Sequence, residues 1–143
     1  MTQVDFYILT PQARGNRFTL ACRIAEKAWR TGRRVYLHTQ NEEECRHMDR
    51  LLWTYRDGSF IPHGISPGAD PALNPVLVGC NSDAGNEHDV LINLGVEIPD
   101  FFSRFERVVE LIDNDEKVKL AGRKRYRFYK DRGYPMEDRR IES

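Results

Sequence analysis

The sequence predicts an α/β fold, a three-layer α/β/α sandwich with a mostly parallel, Rossmann-like sheet. Short apolar runs rich in Val, Ile and Tyr alternate along the chain with segments of helical periodicity, as in consecutive βαβ units. The later apolar runs are not interrupted by polar residues, which is typical of strands covered on both faces. The length of 143 residues suits one domain with its own core, so we expect a single domain over residues 1–143.

The first half of the chain is predicted to form two strands, two helices and a clipped third strand. We predict strands over 4–9, 35–39 and 60–62, and helices over 18–30 and from Asn41 to Asp57-Gly58. Gly32 follows the first helix at the position where glycine is favoured, and the short return to the second strand predicts a parallel pair. Asn41 is expected to cap the second helix, whose first turn carries Glu42, Glu43 and Glu44.

The second half is predicted to contain a flexible loop, three more strands and a long final helix. The segment 64–75 is rich in Gly and Pro, so we expect an exposed, flexible loop there. Strands are predicted over 76–80, 90–94 and 107–112, with a polar turn at 81–89 and a short helix through Phe101, Phe102 and Phe105. The final helix is predicted over about 116–132, capped by Asn114 or Asp115. Residues from about 135 to 143 form a tail without a predicted element.

The charge balance argues against a protein that holds DNA by itself. Lys and Arg number 22, and Asp and Glu also number 22, so the chain lacks the positive field with which DNA-binding proteins contact many phosphates. We therefore expect any contact with single-stranded DNA to be local or mainly indirect.

Cysteine usage and hydropathy predict a cytoplasmic protein. Cys22, Cys45 and Cys80 are far apart and odd in number, which favours reduced thiols over a disulfide framework. No apolar run approaches the roughly 20 residues of a membrane span, and the start MTQVDFYILT lacks the features of a signal peptide. We expect a cytoplasmic location and no membrane contact.

Motifs of catalysis and of cofactor binding are missing from the sequence. The first strand-to-helix connection, TPQARGNRF, contains neither GxGxxG nor GxxxxGKS/T, and Arg14 and Arg17 are interpreted as solvated loop arginines. The four histidines form no HExxH motif and no CxxC-type cluster, and no Ser or Cys lies in a GxSxG context. We predict no catalytic residue, no metal and no cofactor. A Rossmann-like nucleotide- or nucleic-acid-binding enzyme is kept as the alternative.

The predicted final helix carries a basic stripe. On an ideal helix four side chains fall within about a sixth of the circumference, with Arg127 just beside them: Lys119, Arg123, Tyr126 and Lys130. Apolar residues lie about opposite, at Val118, Ala121, Phe128 and Tyr129. Like charges on one stripe repel, so the stripe is either a solvated cationic face or a site that an anionic ligand stabilises, and both phosphate and carboxylate fit it.

Five segments of the sequence resemble the chi subunit of bacterial DNA polymerase III. They are VDFYIL, IAEKAWRTGRRVYLHT, MDRLLWTYRDGSFIPH, DVLINL and RKRYRFYKDRGY, and the similarity runs from about Val4 to Tyr134. The most specific pieces are AWRTGRRV, SFIPH and the RxRYRxY pattern, which occur in that order at suitable spacing.

The resemblance implies a non-catalytic accessory subunit of the clamp-loader assembly. Chi subunits pair with the psi subunit and bind the acidic, phenylalanine-ended C-terminal tail of single-stranded-DNA-binding protein. Carried over to this chain, the tail-binding residues are Lys119, Arg123, Tyr126, Arg127 and Phe60. Arg127 stands where a lysine is familiar in the family, and this exchange preserves the charge.

The resemblance does not locate the psi surface. Candidates are exposed apolar residues within 53–55 and 101–105, although core packing explains the same residues. The loop after Gly64 and the segment after Tyr134 depart from the family pattern. A purely structural subunit without a tail site would leave the basic stripe as a solvated face, and binding measurements separate the two hypotheses.

Overall fold

The computed structural model describes residues 1–81 and 83–142 and contains one seven-stranded sheet with helices on both faces. The strands are β1 (Gln3–Leu9), β2 (Val35–His38), β3 (His63–Ile65), β4 (Val76–Gly79), β5 (Val90–Asn93), β6 (Arg107–Ile112) and β7 (Met136–Ile141). The helices are α1 (Arg17–Arg30), α2 (Glu42–Thr54) and α3 (Glu116–Asp131), with a short 3-10 turn at Phe102–Arg104. The strand order is β3-β4-β2-β5-β6-β1-β7, and every neighbouring pair is parallel. The predicted α/β sandwich with a Rossmann-like sheet is confirmed.

Two apolar layers, one on each face of the sheet, hold the helices in place. Val4 and Phe6 of β1 lie in the layer that contains Tyr129 of α3. Leu9 lies in the opposite layer, together with Leu20 of α1. Because successive side chains of a strand point to opposite faces, α1 and α2 cover one face of the sheet and α3 covers the other.

Each helix begins at a side-chain cap. The caps are Asn16 for α1, Asn41 for α2 and Asp115 for α3, whose side-chain oxygens accept two, one and two backbone N–H groups of the first turn, respectively. The predicted cap of α2 is confirmed. Of the two candidates for the cap of α3, the structure selects Asp115.

The third strand lies three residues later than predicted. Residues 60–62 are outside the sheet, and pairing with β4 begins at His63. Phe60 is exposed and Pro62 has no N–H to donate. The strand propensity of residues 60–62 therefore does not lead to pairing with the sheet. The predicted loop at 64–75 therefore starts with two residues of β3. A Cβ at Gly64 would lie 2.5 Å from the Cβ of Ala69, so only glycine fits this close turn.

The predicted tail at 135–143 is wrong for its larger part, since residues 136–141 form β7. This strand pairs in parallel with β1 at the edge of the sheet. Its sequence, MEDRRI, has four exposed charged residues in the middle, a composition that suits an edge strand. Because the strand has few apolar residues, the hydrophobic pattern of the sequence does not predict it. Ser143 of this tail, and Ser82 of the predicted polar turn at 81–89, lie outside the described residues.

The cysteines contribute to packing. Cys22 and Cys45 are buried, Cys80 is half-buried against the same apolar layer, and all three are free thiols. Burial raises the pKa of Cys22 to about 12. Over residues 1–81 and 83–142, no helix combines the length and the apolar character that a membrane crossing requires.

Candidate functional site

The orientation of α3 decides which of its charges a ligand can reach. The buried residues of the helix are Gly122, Arg125 and Tyr129, and they face the sheet. The predicted basic stripe is not opposite this face but beside it, on the side that faces β7. We call it the basic flank, and it consists of Lys119, Arg123, Tyr126, Arg127 and Lys130. Arg123, Arg127 and Lys130 are exposed, whereas Lys119 and Tyr126 are half-buried.

A buried polar network fixes the rotation of α3. The Nε of Arg125 lies 2.8 Å from Oε1 of Glu110, and the hydroxyl of Tyr129 donates to Oε2 of the same carboxylate over 2.7 Å. Asn93 donates to that Oε2 over 3.1 Å, so three donors, two on α3 and one on β5, converge on one buried acid. Burial, and then the Glu110 carboxylate, raise the pKa of Tyr129. Arg125 is therefore a structural cation, and sequence reasoning gave it no role.

A glycine brings α3 close to the sheet under the basic flank. A Cβ at Gly122 would overlap Cδ1 of Ile112, so any other residue would require the Ile112 side chain or the helix to shift. Ile112 lies beside Ile8 in the sheet, and Ile8 lies beside Arg140. The apolar floor next to the basic flank is thus formed by Ile112 and Ile8.

Tyr126 connects the basic flank to the edge of the sheet. Its ring packs edge to face on Phe6, with centroids 5.1 Å apart. Its hydroxyl donates to Oδ2 of Asp138 on β7 over 3.4 Å. The charge of Asp138 raises the pKa of Tyr126. Asp138 is an acid within an otherwise cationic site, and sequence reasoning missed it because β7 was not predicted.

β7 also brings a further cation to the basic flank. Asp138 pairs with Phe6 and Arg140 pairs with Ile8, so both side chains lie on the face of the sheet that α3 covers. Arg139 lies on the other face, over the ring of Tyr7 at 5.7 Å. Once β7 is known, the alternation of side chains along the strand is the signal that identifies Arg140.

Few acids neutralise these cations. Lys119 is 3.6 Å from Glu116, an exposed carboxylate one turn earlier on α3. Arg123, Arg127 and Arg140 make no ion pair with any residue in 1–81 or 83–142. The basic flank and Arg140 therefore present several uncompensated charges on one ordered surface, which suits a ligand with two or more carboxylates.

Phe60 does not join this site. It precedes β3, and β3 is five strands away from β1 in the sheet order. At about 4.8 Å per strand this separation is roughly 24 Å. Phe60 is 77% exposed at that far edge, where Trp53 is also 57% exposed and packs against His63 with ring centroids 4.7 Å apart and ring planes tilted by 57°. The structure brings Lys119, Arg123, Tyr126 and Arg127 together and leaves Phe60 with a second, aromatic surface.

The crevice at the carboxyl ends of the strands is the usual ligand site of open α/β sheets. In this protein, the helix amides and the arginine there that could bind a phosphate already have partners within the chain. A cavity of about 400 Å³ lies there, next to the start of α3. The first amides of α1 and α3 are already bound by Asn16 and Asp115. Arg17 is paired with Asp113 at 3.4 Å. Among the described residues, no group of three or more His, Cys, Asp or Glu side chains is arranged to hold a metal ion.

Comparison with known proteins gives a consistent result over nearly the whole chain. Residues 1–137 match the family described as "DNA polymerase III chi subunit, HolC". The chain is 42% identical over 141 residues to the DNA polymerase III subunit chi of Pseudomonas aeruginosa, covering 99% of this chain and 98% of that relative. It is 28% identical to the subunit of the same name from Haemophilus influenzae, covering 96% of each chain. With the Escherichia coli subunit it shares 29% identity, covering 82% of this chain and 80% of the relative.

Proposed function

Because the chain belongs to the DNA polymerase III chi subunit family, we propose that it is an adaptor in the clamp-loader assembly that joins a single-stranded-DNA-binding protein to the polymerase. As a family member it is an accessory, non-catalytic subunit of the replication machinery. The alternative of a nucleotide-binding enzyme has no support from the family. We expect the protein in the cytoplasm, where the other subunits of a bacterial polymerase assemble.

The proposed ligand of the basic flank is the acidic, phenylalanine-ended C-terminal tail of single-stranded-DNA-binding protein. The single observation that carries the proposal is the placement of Lys119, Arg123, Tyr126 and Arg127 on one side of a rigidly held helix. Arginine guanidinium groups bind carboxylates through paired hydrogen bonds, so Arg123 and Arg127 are assigned to the acidic residues of the tail.

The terminal phenylalanine of that tail requires an apolar contact within reach of the same cations. We assign it to the region beside Tyr126, over Ile8 and Ile112, and not to Phe60, the tail-binding residue that the family resemblance implied. Single-stranded DNA is then contacted mainly through the partner. The balanced total charge of the chain supports this arrangement.

The exposed aromatic residues at the β3 edge are the proposed surface for the psi subunit. Trp53 is 57% exposed and Phe60 is 77% exposed. Exposure of two large apolar side chains to water is unfavourable, and it is typical of a surface that a partner protein covers. We do not assign the psi subunit to the second candidate segment, because Phe101, Phe102 and Phe105 are at most 9% exposed. The two proposed partners would then bind at opposite edges of the sheet.

Titration with a short acidic peptide that ends in Phe and a free carboxylate tests the tail site. Arg123→Ala should weaken binding about tenfold or more, as expected for the loss of a charge-assisted hydrogen bond. Lys124→Ala is the matched control, since Lys124 is the next residue of α3, is equally exposed and lies on the other flank. Equal losses for the two variants, or indifference to the peptide's terminal Phe, would mean a diffuse cationic surface.

A further inference from the structure

The other flank of α3 borders a groove that the tail site does not use. It runs between α3 and the segment 96–100 and has a volume of about 560 Å³. We call it the α3 groove. Its larger apolar lining residues are Val96, Ile98, Pro99, Phe102, Leu120 and Phe128.

Two large side chains at the rims of the α3 groove are exposed to a degree that a folded chain does not require. Leu120 is 57% exposed and Val96 is 56% exposed. The walls are nevertheless held in place. Arg125 donates to the carbonyl oxygen of Val96 over 2.9 Å while its Nε binds Glu110, so one buried side chain fixes both sides of the groove. A preformed apolar groove with exposed rims is typical of a docking site for another protein.

The charges around the α3 groove are sorted by side. Lys117 and Lys124 lie on the α3 rim with Leu120 between them, at spacings of three and four residues that place all three on one side of the helix. Glu97 and Asp100 lie on the facing rim. None of these four charges is ion-paired to another residue of the described chain. The groove is thus open, with a cationic wall and an anionic wall.

We propose that the α3 groove binds an amphipathic helix of a partner protein. The apolar ridge of the bound helix would lie between Leu120 and Val96. The acidic residues of the bound helix would face Lys117 and Lys124, and its basic residues would face Glu97 and Asp100. From Lys117 to Phe128 the helix α3 rises about 16 Å, which matches three turns of a bound helix. Nucleic acid fits less well, because the anionic wall repels phosphates.

This proposal is independent of the tail site, since the two surfaces lie on opposite flanks of α3. The probes are three synthetic helical peptides with the same leucine ridge at i, i+3, i+4 and i+7. One carries Glu on one flank and Lys on the other, the second carries Glu on both, and the third carries Lys on both. Titrated into the full chain and followed by fluorescence anisotropy, the mixed peptide should bind at least about tenfold more tightly than either other peptide.

Substitutions in the chain then locate the binding. Leu120→Ser and Lys124→Glu should each weaken binding of the mixed peptide about tenfold, whereas Arg123→Ala should leave its affinity unchanged. Leu73→Ser is the matched control, because Leu73 is 72% exposed but far from α3 in sequence and outside the groove. Equal affinity for the three peptides, or indifference to Leu120→Ser, overturns the proposal. Self-association of the chain that Leu120→Ser abolishes would assign the groove to a second copy and overturn it as well. Loss of acidic-tail binding in Arg123→Ala alone leaves this proposal untouched.

Discussion

Arg125 of α3 and Glu110 of β6 form a fully buried ion pair, with Nε and Oε1 2.8 Å apart. Tyr129 and Asn93 both donate to Oε2 of the same carboxylate, so each of its oxygens accepts at least one hydrogen bond. Removal of one partner of such a pair leaves the other charge buried and uncompensated. This network fixes the rotation of α3 and therefore the position of both the basic flank and the α3 groove.

Glu110→Ala should reduce the free energy of unfolding by about 3 to 5 kcal/mol, because the buried Arg125 loses its counter-charge and Tyr129 and Asn93 lose their hydrogen bonds to the carboxylate. Urea denaturation followed by circular dichroism measures the change. Glu43→Ala, at an exposed glutamate in the first turn of α2, is the control and should cost about 1 kcal/mol or less. A loss at Glu110 no larger than at Glu43 would show that the network does not hold α3.

Gly122→Ala should destabilise the protein by about 1 to 3 kcal/mol, since the added methyl group overlaps Cδ1 of Ile112 and either that side chain or α3 must shift. A shift of Ile112 disturbs the apolar floor and a shift of α3 displaces Arg123, so either one should weaken binding of the acidic peptide. The double variant Gly122→Ala with Ile112→Val removes the overlapping atom. It should recover part of the lost thermal stability, which differential scanning calorimetry can measure. A double variant less stable than Gly122→Ala alone would contradict this account of the close approach.

The helices and the inner strands could be predicted from the sequence because their patterns are local. Asn41 followed by three glutamates predicts the start of α2. The continuous apolar runs at β4 and β5 predict strands that are buried on both faces. β7 could not be found in this way, because an edge strand needs few apolar residues and MEDRRI has one at each end. Its residues Asp138 and Arg140 were missed for the same reason.

The membership of the candidate site was predicted only within a single element. Helical spacing placed Lys119, Arg123 and Tyr126 together, and the structure agrees. Whether Phe60 lies beside them depends on the strand order, which puts β3 and β1 five positions apart and which no local pattern encodes. The role of Arg125 could not be predicted either, because the sequence pattern does not distinguish a buried arginine from a solvated one. The structural role becomes evident only from the contact with the buried Glu110.

The stability should depend on pH through Glu26, an acid of α1 with 8% exposure of its side chain. Hydrogen bonds from Arg56 hold the pKa of Glu26 below its ordinary value of 4.5, against the opposing effect of burial, and Arg30 adds to the lowering. A lowered pKa means that the folded state binds fewer protons than the unfolded state. Stability from this group is therefore present above pH 4.5 and is lost as the pH falls through the pKa of the folded state.

Glu26→Gln should cost about 1 to 3 kcal/mol at neutral pH, because the charge-assisted bonds from Arg56 and Arg30 are lost. The cost should shrink as the pH falls below 4.5, where Glu26 becomes protonated in the unfolded chain, and toward the lowered pKa of the folded state, where it becomes protonated in the native protein as well. Urea denaturation at a series of pH values measures both effects. Glu142→Gln, at an exposed position, should leave the pH dependence unchanged. A constant difference between Glu26→Gln and the natural chain at all pH values would disprove the linkage.

Arg140 and Asp138 should have opposite effects on the tail site, since both lie on the face of β7 that meets the basic flank. Arg140→Ala removes one cation from the site and should weaken the acidic peptide by about threefold to tenfold. Asp138→Asn removes the only acid that β7 contributes there, and it should tighten binding by a few fold because repulsion of the peptide carboxylates disappears.

Arg139→Ala is the matched control for Arg140→Ala. The two arginines are adjacent and exposed on the same strand, but Arg139 lies on the opposite face of the sheet, over Tyr7 and 2.9 Å from Glu137. Calorimetric titration at two salt concentrations should give a loss for Arg140→Ala that shrinks at high salt, and a change of less than about twofold for Arg139→Ala. If the two variants behave alike, β7 contributes only general charge, and the acidic peptide contacts α3 alone.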